Sequence, residues 1–256
     1  MIEQEHTLFN VHGLVSRWRS RVEKRNAQVD FHRVSDFGTN NELGRVWDYF
    51  YEDWHCPNAE RVGNPGDGGK WICNLDDFLQ DSCVIYSLGL FDNDEFERAM
   101  HNLNPTCEIH SFDPTPGEIE NFHMDERLAA YGAHFHDFGI TGHGENINIE
   151  GADVPTKTLA EAMTELGHNN LDILKVDIEF SEYDMLDTVF CDLHEPTCEK
   201  VDNIGMLLVE MHFRTAAEVV KTFKRLSEHG YGIFQKEPNP IAYPLAVEYA
   251  FVKVTN

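Results

Sequence analysis

The chain has 256 residues, of which 41% are hydrophobic and 11% aromatic, so it is long and apolar enough to bury one substantial core. Its 45 acidic and 20 basic side chains give a formal net charge of -25, which repels nucleic-acid phosphates and anionic membrane surfaces. No stretch approaches the roughly 20 apolar residues of a membrane span. We therefore expect neither a nucleic-acid partner nor a span in this chain, and the composition leaves the oligomeric state open.

The first part of the chain is predicted to be helical. Apolar residues recur at helical spacing from Leu8 to Trp18 and again from Leu43 to Tyr51. We predict an N-terminal helical extension or cap over residues 1–54, packed on a main domain over residues 55–256.

Strands and helices alternate in the main domain. Strands spaced by helices indicate right-handed crossovers and a parallel sheet. A final pair of β-rich runs, separated by a Pro238–Pro240 turn, predicts a closing hairpin that adds one antiparallel strand. The predicted strands are 84–88, 107–112, 133–138, 171–176, 206–211, 231–235 and 246–254, and the predicted helices are 95–103, 158–166, 216–229 and one that begins at Ser181.

Acidic residues follow the apolar run that ends at Val176. Asp177 and Glu179 lie two apart at the end of the fourth predicted strand, and Glu210 and His212 lie two apart at the end of the fifth. Ligands of open α/β sheets bind outside the carboxyl ends of the strands, so we expect these four side chains to converge on one cleft. His212 is the candidate general base, because its ordinary pKa is close to neutrality, and Asp177 and Glu210 are its candidate catalytic partners.

The same four side chains allow a second interpretation. Asp177, Glu179, Glu210 and His212 could bind a divalent cation such as Mg²⁺ or Mn²⁺, which would acidify a bound hydroxyl. Clustered acids at strand ends also often do no more than accept hydrogen bonds from a cofactor and from loops. Both alternatives stay open at this stage.

Several short motifs, in order, resemble one family. The chain resembles class I S-adenosylmethionine-dependent methyltransferases of the FkbM type, and more specifically a related eukaryotic group of methyltransferase-like proteins with a GDGGKW motif. This resemblance implies an enzyme with a Rossmann-like α/β fold, a seven-stranded, mostly parallel sheet and S-adenosyl-L-methionine as cofactor. The motifs are Gly66–Cys73, Ser87–Gly89, His110–Pro114, Leu174–Glu179, Val209–His212 and Glu248–Phe251.

The resemblance also implies which residues bind the cofactor. Asp113 ends the second strand, where an acidic residue accepts the ribose hydroxyls, and Asp137 is placed to meet the adenine amino group. The glycine-rich loop offers backbone N–H groups and one ammonium to a carboxylate. The implied cofactor-binding residues are Gly68, Lys70, Ser87, Gly89, Asp113, Asp137 and Asp177.

The chain departs from the family pattern at two places, after the first strand and after the fourth. Ser87 stands where the first strand usually ends in an acidic residue, and the lone Gly89 replaces a Gly-x-Gly turn. Phe180 stands where FkbM-type sequences usually have glycine after the second acid.

The expected activity is O-methylation of a carbohydrate hydroxyl, on a small-molecule or glycan acceptor. A small-molecule or protein carboxyl methyltransferase, and a catalytically silent binding module with the same fold, are the alternatives. The resemblance implies the Golgi or ER lumen, with a soluble cytoplasmic protein as the alternative. Six cysteines leave open one or two disulfides, which an oxidising compartment would permit.

Overall fold

The computed structural model describes residues 2–29, 43–66, 68–78, 82–115, 123–149, 151–191, 198, 201 and 203–255. Its helices are α1 (Ile2–Gln28), α2 (Leu43–Trp47), α3 (Leu75–Phe78), α4 (Glu95–Leu103), α5 (Met124–Ala129), α6 (Leu159–Leu166), α7 (Glu182–Val189) and α8 (Ala216–Glu228). Its strands are β1 (Ala59–Val62), β2 (Lys70–Cys73), β3 (Val84–Leu88), β4 (Glu108–Phe112), β5 (His134–His136), β6 (Gly139–Ile140), β7 (Ile147–Ile149), β8 (Ala152–Val154), β9 (Thr156–Lys157), β10 (Leu171–Val176), β11 (Ile204–His212), β12 (Tyr231–Pro238) and β13 (Ala246–Lys253).

Seven of these strands form one sheet in the order β12-β13-β11-β10-β3-β4-β5. Strands β11, β10, β3, β4 and β5 are parallel, and β13 pairs antiparallel with both of its neighbours. This confirms the predicted Rossmann-like sheet with one antiparallel hairpin strand. Strand β5 is shorter than predicted, because it ends at His136, which leaves Asp137 beyond the sheet.

The central parallel strands β3, β10 and β11 are largely buried, as expected for a sheet with helices on each side, whereas the edge strand β5 is partly exposed. Every residue of β10 except Asp172 is buried. Helix α6 begins with a capping box between Thr158 and Glu161 and ends at Gly167 in the left-handed conformation (φ 78°). These signals delimit the helix that leads the chain into β10.

The N-terminal segment packs on the hairpin side of the sheet. The indole of buried Trp18 donates to Asp53 Oδ1 over 2.9 Å, and the same oxygen accepts the backbone N–H of Ile233 over 2.9 Å. Arg25 is buried and forms an ion pair with Asp53. Burial nevertheless raises the pKa of Asp53 above its ordinary value. The division of the chain at residue 54 stays a prediction.

All six cysteines are paired, in the disulfides Cys56–Cys73, Cys83–Cys107 and Cys191–Cys198. The second bridge joins the residues that precede β3 and β4, so it ties two neighbouring strands together at their amino ends. In the described part of the chain, no helix has the length and hydropathy needed to cross a membrane.

Candidate functional site

A cleft of about 330 Å³ opens at the carboxyl ends of β3, β4 and β10. Its volume lies in the range of small-molecule sites. Of the seven residues predicted to bind a cofactor, four line this cleft, namely Gly68, Gly89, Asp113 and Asp177. Apolar side chains complete its walls, among them Phe112, Ile140, Ile147 and Ile149.

Gly89 allows the ends of β3 and β10 to approach each other closely. Its φ is +75°, and a Cβ at this position would lie 1.7 Å from the carbonyl oxygen of Asp177. The backbone N–H of Asp177 donates to Leu88, and the ammonium of Lys175 donates to the carbonyl of Gly89 over 2.8 Å. Only glycine fits this junction, which forms the floor of the cleft.

Asp113 is buried and holds the loop that follows β3. Its Oδ2 accepts the backbone N–H groups of Leu90 and Phe91, each over 2.7 Å, and its Oδ1 accepts that of Thr115 over 2.8 Å. A carboxylate oxygen has two lone pairs, so Oδ2 is saturated and Oδ1 keeps one for a ligand hydroxyl. Asp113 therefore shapes the cleft as well as lining it.

Ser87 is fully buried beneath the cleft rather than lining it. Its hydroxyl donates to Oε1 of Glu97, which comes from the buried face of α4. The other oxygen of that carboxylate, Oε2, is buried without a hydrogen-bond partner, and Lys175 Nζ lies 3.8 Å from Oε1. Ser87 stands where the family usually has an acidic residue, and Glu97 of the following helix α4 places a carboxylate next to it.

Lys70 and Asp137 do not line the cleft either. Lys70 begins β2, and its buried ammonium forms an ion pair with Glu248 of β13. Burial disfavours that charge, but the carboxylates of Glu248, Asp177 and Glu210 outweigh the burial and raise the pKa of Lys70. Asp137 is exposed beyond the end of β5. The expectation that both side chains lie in the cofactor site therefore finds no support in the lining of this cleft.

Glu210 lies opposite Glu248 in the β11–β13 register and next to Asp177. Burial, together with the charges of Asp177 and Glu248, raises the pKa of Glu210 to about 8. Its Oε1 accepts an amide N–H of Asn239 over 2.8 Å. Glu210 is therefore protonated at neutral pH, which removes one negative charge from a crowded group of acids.

His212 is held between two carboxylates at the end of β11. Its Nδ1 lies 2.9 Å from Oε1 of fully buried Glu182, and its Nε2 lies 3.5 Å from Oε2 of Glu179. Burial lowers the pKa of His212, but the hydrogen bond and charge of Glu182, followed by Glu179 and Asp177, outweigh it and raise that pKa to about 9. The imidazolium is the main form at neutral pH.

The turn between β10 and α7 has an unusual backbone. Glu179 and Phe180 both have positive φ, 49° and 74°, although neither is glycine. Glu182 Oε1 accepts the N–H of Ile178 over 3.2 Å and so fixes the turn. The Phe180 ring is 51% exposed, and its centroid lies 5.1 Å from that of His212. Strained turns of this kind cluster at functional sites.

Two sets of ligand atoms in this region lie within 4.8 Å of one another, Asp177–Glu179–His212 and Asp177–Glu210–Glu248. In both sets the negative charge is already partly balanced. His212 is protonated at neutral pH, and Lys70 neutralises Glu248. A divalent cation would have to displace a proton or compete with an ammonium at either place, so the donors fit a metal poorly.

The fold and the cleft agree with the comparison of the chain with family models. A model described as a methyltransferase domain matches residues 14–253. The chain therefore belongs to this methyltransferase-domain family.

Two curated relatives have the same description, "Probable methyltransferase-like protein 24". The human protein is 30% identical over 134 residues, which cover 51% of this chain and 32% of the human protein. The rat protein is 29% identical over 153 residues, which cover 56% of this chain and 38% of the rat protein. The matches thus extend over less than half the length of these relatives.

Solved structures with a similar fold include two fibrillarins. The Methanococcus jannaschii fibrillarin pre-rRNA processing protein is 9% identical, with a TM-score of 0.42 over 70% of this chain and 69% of that chain. Aeropyrum pernix fibrillarin, solved with natively bound S-adenosyl-L-methionine, is 11% identical, with a TM-score of 0.40 over 78% and 84%. We draw no conclusion about function from similarities this low.

Proposed function

We propose that this chain is an S-adenosylmethionine-dependent O-methyltransferase that acts on a neutral hydroxyl, with a carbohydrate as the favoured acceptor. Membership of the methyltransferase-domain family supports methyl transfer. The observation that carries the neutral acceptor is the acidic turn beside the cleft, where the carboxylates of Asp177, Glu179 and Glu182 surround the imidazolium of His212. An anionic acceptor would meet net repulsion here, which argues against the carboxyl methyltransferase alternative.

The cleft fits the cofactor in size and in chemistry. Asp113 keeps one lone pair on Oδ1 for a ribose hydroxyl, and Gly68 and Gly89 line the same cleft. When bound, S-adenosylmethionine supplies a methyl group on a sulfonium. The protein is left to orient the acceptor and remove its proton.

His212 is the proposed proton acceptor, in its neutral form. Glu182 binds Nδ1–H, so Nε2 is the nitrogen that can take the proton of the acceptor hydroxyl. A pKa of about 9 means that this form is scarce at neutral pH but strongly basic. Glu182 thereby orients the ring and sets its basicity, while Asp177, which lines the cleft, can accept a hydrogen bond from an acceptor hydroxyl.

The surroundings of His212 suit a sugar. The half-exposed ring of Phe180 offers an apolar surface to the C–H face of a pyranose. Glu179 is 79% exposed beside it and can accept hydrogen bonds from ring hydroxyls. A divalent cation bound by these acids is the alternative way to acidify the hydroxyl, and turnover that persists in excess chelator would argue against it.

The three disulfides support a location in an oxidising compartment such as the ER or Golgi lumen. Intact-mass measurement after thiol alkylation tests this. In protein from a secretory host, we expect six alkylated cysteines with reductant and none without it. Free thiols in the unreduced sample would argue for the cytoplasmic alternative.

Calorimetric titration with S-adenosylmethionine and S-adenosylhomocysteine tests the cofactor site. We expect micromolar binding that Asp113→Asn weakens at least about tenfold, because the amide N–H₂ opposes the N–H donors that Asp113 accepts. Asp137→Asn, on the exposed end of β5, is the matched control and should bind normally. No binding by a folded wild-type sample would favour the silent binding module.

Transfer of a radiolabelled methyl group tests the acceptor class. Neutral oligosaccharides and matched uronic-acid oligosaccharides are offered in parallel. Labelling that is stable to mild base and confined to hydroxyls supports the proposal. Base-labile methyl esters on the uronic acids, retained in His212→Asn, would support the carboxyl methyltransferase instead.

A further inference from the structure

Four histidines and one glutamate gather on one face of the sheet, away from the cleft. Glu108 and His110 lie two apart on β4 and therefore share a face. His110 is the register partner of His134 on the edge strand β5. His168 comes from the turn after α6. Glu108 begins β4, whereas Phe112, at the other end of that strand, lines the cleft. The cluster is thus separate from the site described above.

The distances within this cluster suit a metal centre. Glu108, His110 and His134 each offer one ligand atom within 4.8 Å of the others. His110 Nε2 lies 2.8 Å and His168 Nε2 lies 3.4 Å from Oε1 of Glu108. Ligand atoms around a tetrahedral Zn²⁺ with bonds of about 2.0 Å lie about 3.3 Å apart. Within the group of Glu108, His110 and His134, a widening of the first contact by about 0.5 Å would give this spacing. His168 lies outside that group of three, so its ring would have to move closer to the other two histidines to become the fourth ligand.

The inner ring nitrogens have the partners that histidine ligands need. His110 Nδ1 lies 2.9 Å from Nε2 of His136, and His168 Nδ1 lies 2.8 Å from the hydroxyl of buried Tyr86. Each ring is therefore oriented by its second nitrogen, as in most histidine-ligated metal sites. In both residues Nε2 is the nitrogen that faces Glu108.

The chemistry of the donor set also favours a transition metal. Three imidazoles and one carboxylate offer nitrogen and oxygen ligands, and such a donor set prefers transition metals to Mg²⁺ or Ca²⁺.

We propose that Glu108, His110, His134 and His168 bind a divalent transition-metal cation of the zinc type. The ion would join β4 to the three-residue edge strand β5 and to the turn that precedes β10. Its role would be structural, because it would hold a short edge strand in register from the end of the sheet opposite the cleft. The site does not depend on the proposed methyl transfer.

A hydrogen-bonded network without metal is the competing explanation. Nε2–H of His136 can donate to His110, and Nε2–H of both His110 and His168 can donate to Glu108, so the groups can satisfy one another. Metal titration separates the two explanations.

The experiment uses the full chain without an affinity tag, stripped with chelator and dialysed, and titrated calorimetrically with Zn²⁺ alone. Co²⁺ serves as a spectroscopic probe, since a tetrahedral site gives intense visible absorption. His134→Asn and His168→Asn remove ligands at exposed and partly exposed positions. His55→Asn, another exposed histidine, is the matched control. Thermal melts check that each variant is folded.

We expect saturable binding of one Zn²⁺ per chain that Mg²⁺ does not displace, and we expect Co²⁺ loaded into the metal-free protein to be displaced by Zn²⁺. Each ligand variant should bind at least about tenfold more weakly, and the His55 variant should bind like wild type. The absence of saturable binding, or an affinity equal in all four proteins, would overturn the proposal and leave the network as the explanation.

Discussion

Replacing Glu182 with Gln tests how the protein sets the basicity of His212. The substitution removes one buried negative charge 2.9 Å from Nδ1 but keeps an oxygen that can accept from both Nδ1 and the N–H of Ile178. A charge pair at this kind of distance contributes about 4 kcal/mol at an effective dielectric constant of about 20, equivalent to about 3 pH units. Burial would still lower the pKa of His212, and only the charges of exposed Glu179 and half-buried Asp177 would still raise it. We therefore expect this pKa to fall from about 9 to about 7 or lower.

Two effects on the rate follow and partly cancel. The neutral fraction of His212 at pH 7 rises from about 1% to about 50%, a gain of about fiftyfold. The base also weakens, and with a Brønsted coefficient of about 0.5 the limiting rate falls about tenfold. Glu182→Gln should therefore be about fivefold faster than wild type at pH 7 and about tenfold slower on the alkaline plateau.

The assay is the pH dependence of kcat/KM, accompanied by an NMR titration of the imidazole assigned with His212→Asn. The NMR titration needs no acceptor. Glu179→Gln, which alters an exposed and weaker contact, should shift the titration much less. The pKa of Glu210 is raised to about 8, so its titration overlaps that of His212. The pH profile of Glu210→Gln shows which part of the dependence belongs to Glu210. A midpoint that stays near 9 in Glu182→Gln would refute the reasoning.

Three further predictions concern the frame of the site. Gly89→Ala would place a methyl group against the Asp177 carbonyl, so we expect a loss of about 2–4 kcal/mol in unfolding free energy and no cofactor binding, measured by denaturant melts and calorimetry. Phe180→Gly relieves a left-handed backbone worth about 1 kcal/mol, so the melting temperature should hold or rise while turnover on a sugar falls; a large loss of stability would contradict this. The unfolding free energy should also fall as pH rises from about 6.5 to 9. His212 has a folded pKa above its ordinary value, so its contribution is complete below about 6.5 and lost through 9, and the raised pKa of Glu210 acts in the same direction up to about 8. Denaturant melts across this range should show a shallower slope in His212→Asn.

The order of strands and helices along the chain could be predicted because its signals are local. Apolar runs such as Leu171–Val176 alternate with helices that carry their own start and stop signals, as Thr158 and Gly167 do for α6. The short hairpin of β1 and β2 was not predicted, since its four-residue strands have no such signal. Lys70 was assigned to the cofactor because the sequence does not show its true partner. That partner is Glu248, which lies 178 positions further along the chain.

The position of the cleft was predictable from the sequence, whereas the charge states of the nearby acids were not. Acids at the ends of β10 and β11 mark the edge of the sheet at which the cleft opens, but the pKa values of these acids depend on burial and on partners from other elements. Glu182 and Glu97 were both missed. The sequence does contain one signal for Glu97, a charged residue beside Phe96 and Met100 on the buried face of α4. A charge in such a place needs a partner, and here the partners are Ser87 and Lys175.

Ser87 and Phe180, the two departures from the family pattern, therefore have structural counterparts. Glu97 brings a carboxylate to the place where Ser87 lacks one, and Phe180 adopts the left-handed backbone that glycine would adopt without strain. With Ser87 and Glu97 together, a carboxylate is still present beneath the cleft. Phe180 keeps backbone strain of about 1–2 kcal/mol and places an aromatic ring beside His212. The ring is half exposed, so its packing in the core does not offset this strain. Contact between Phe180 and the acceptor would explain why a strained aromatic residue stands at this position.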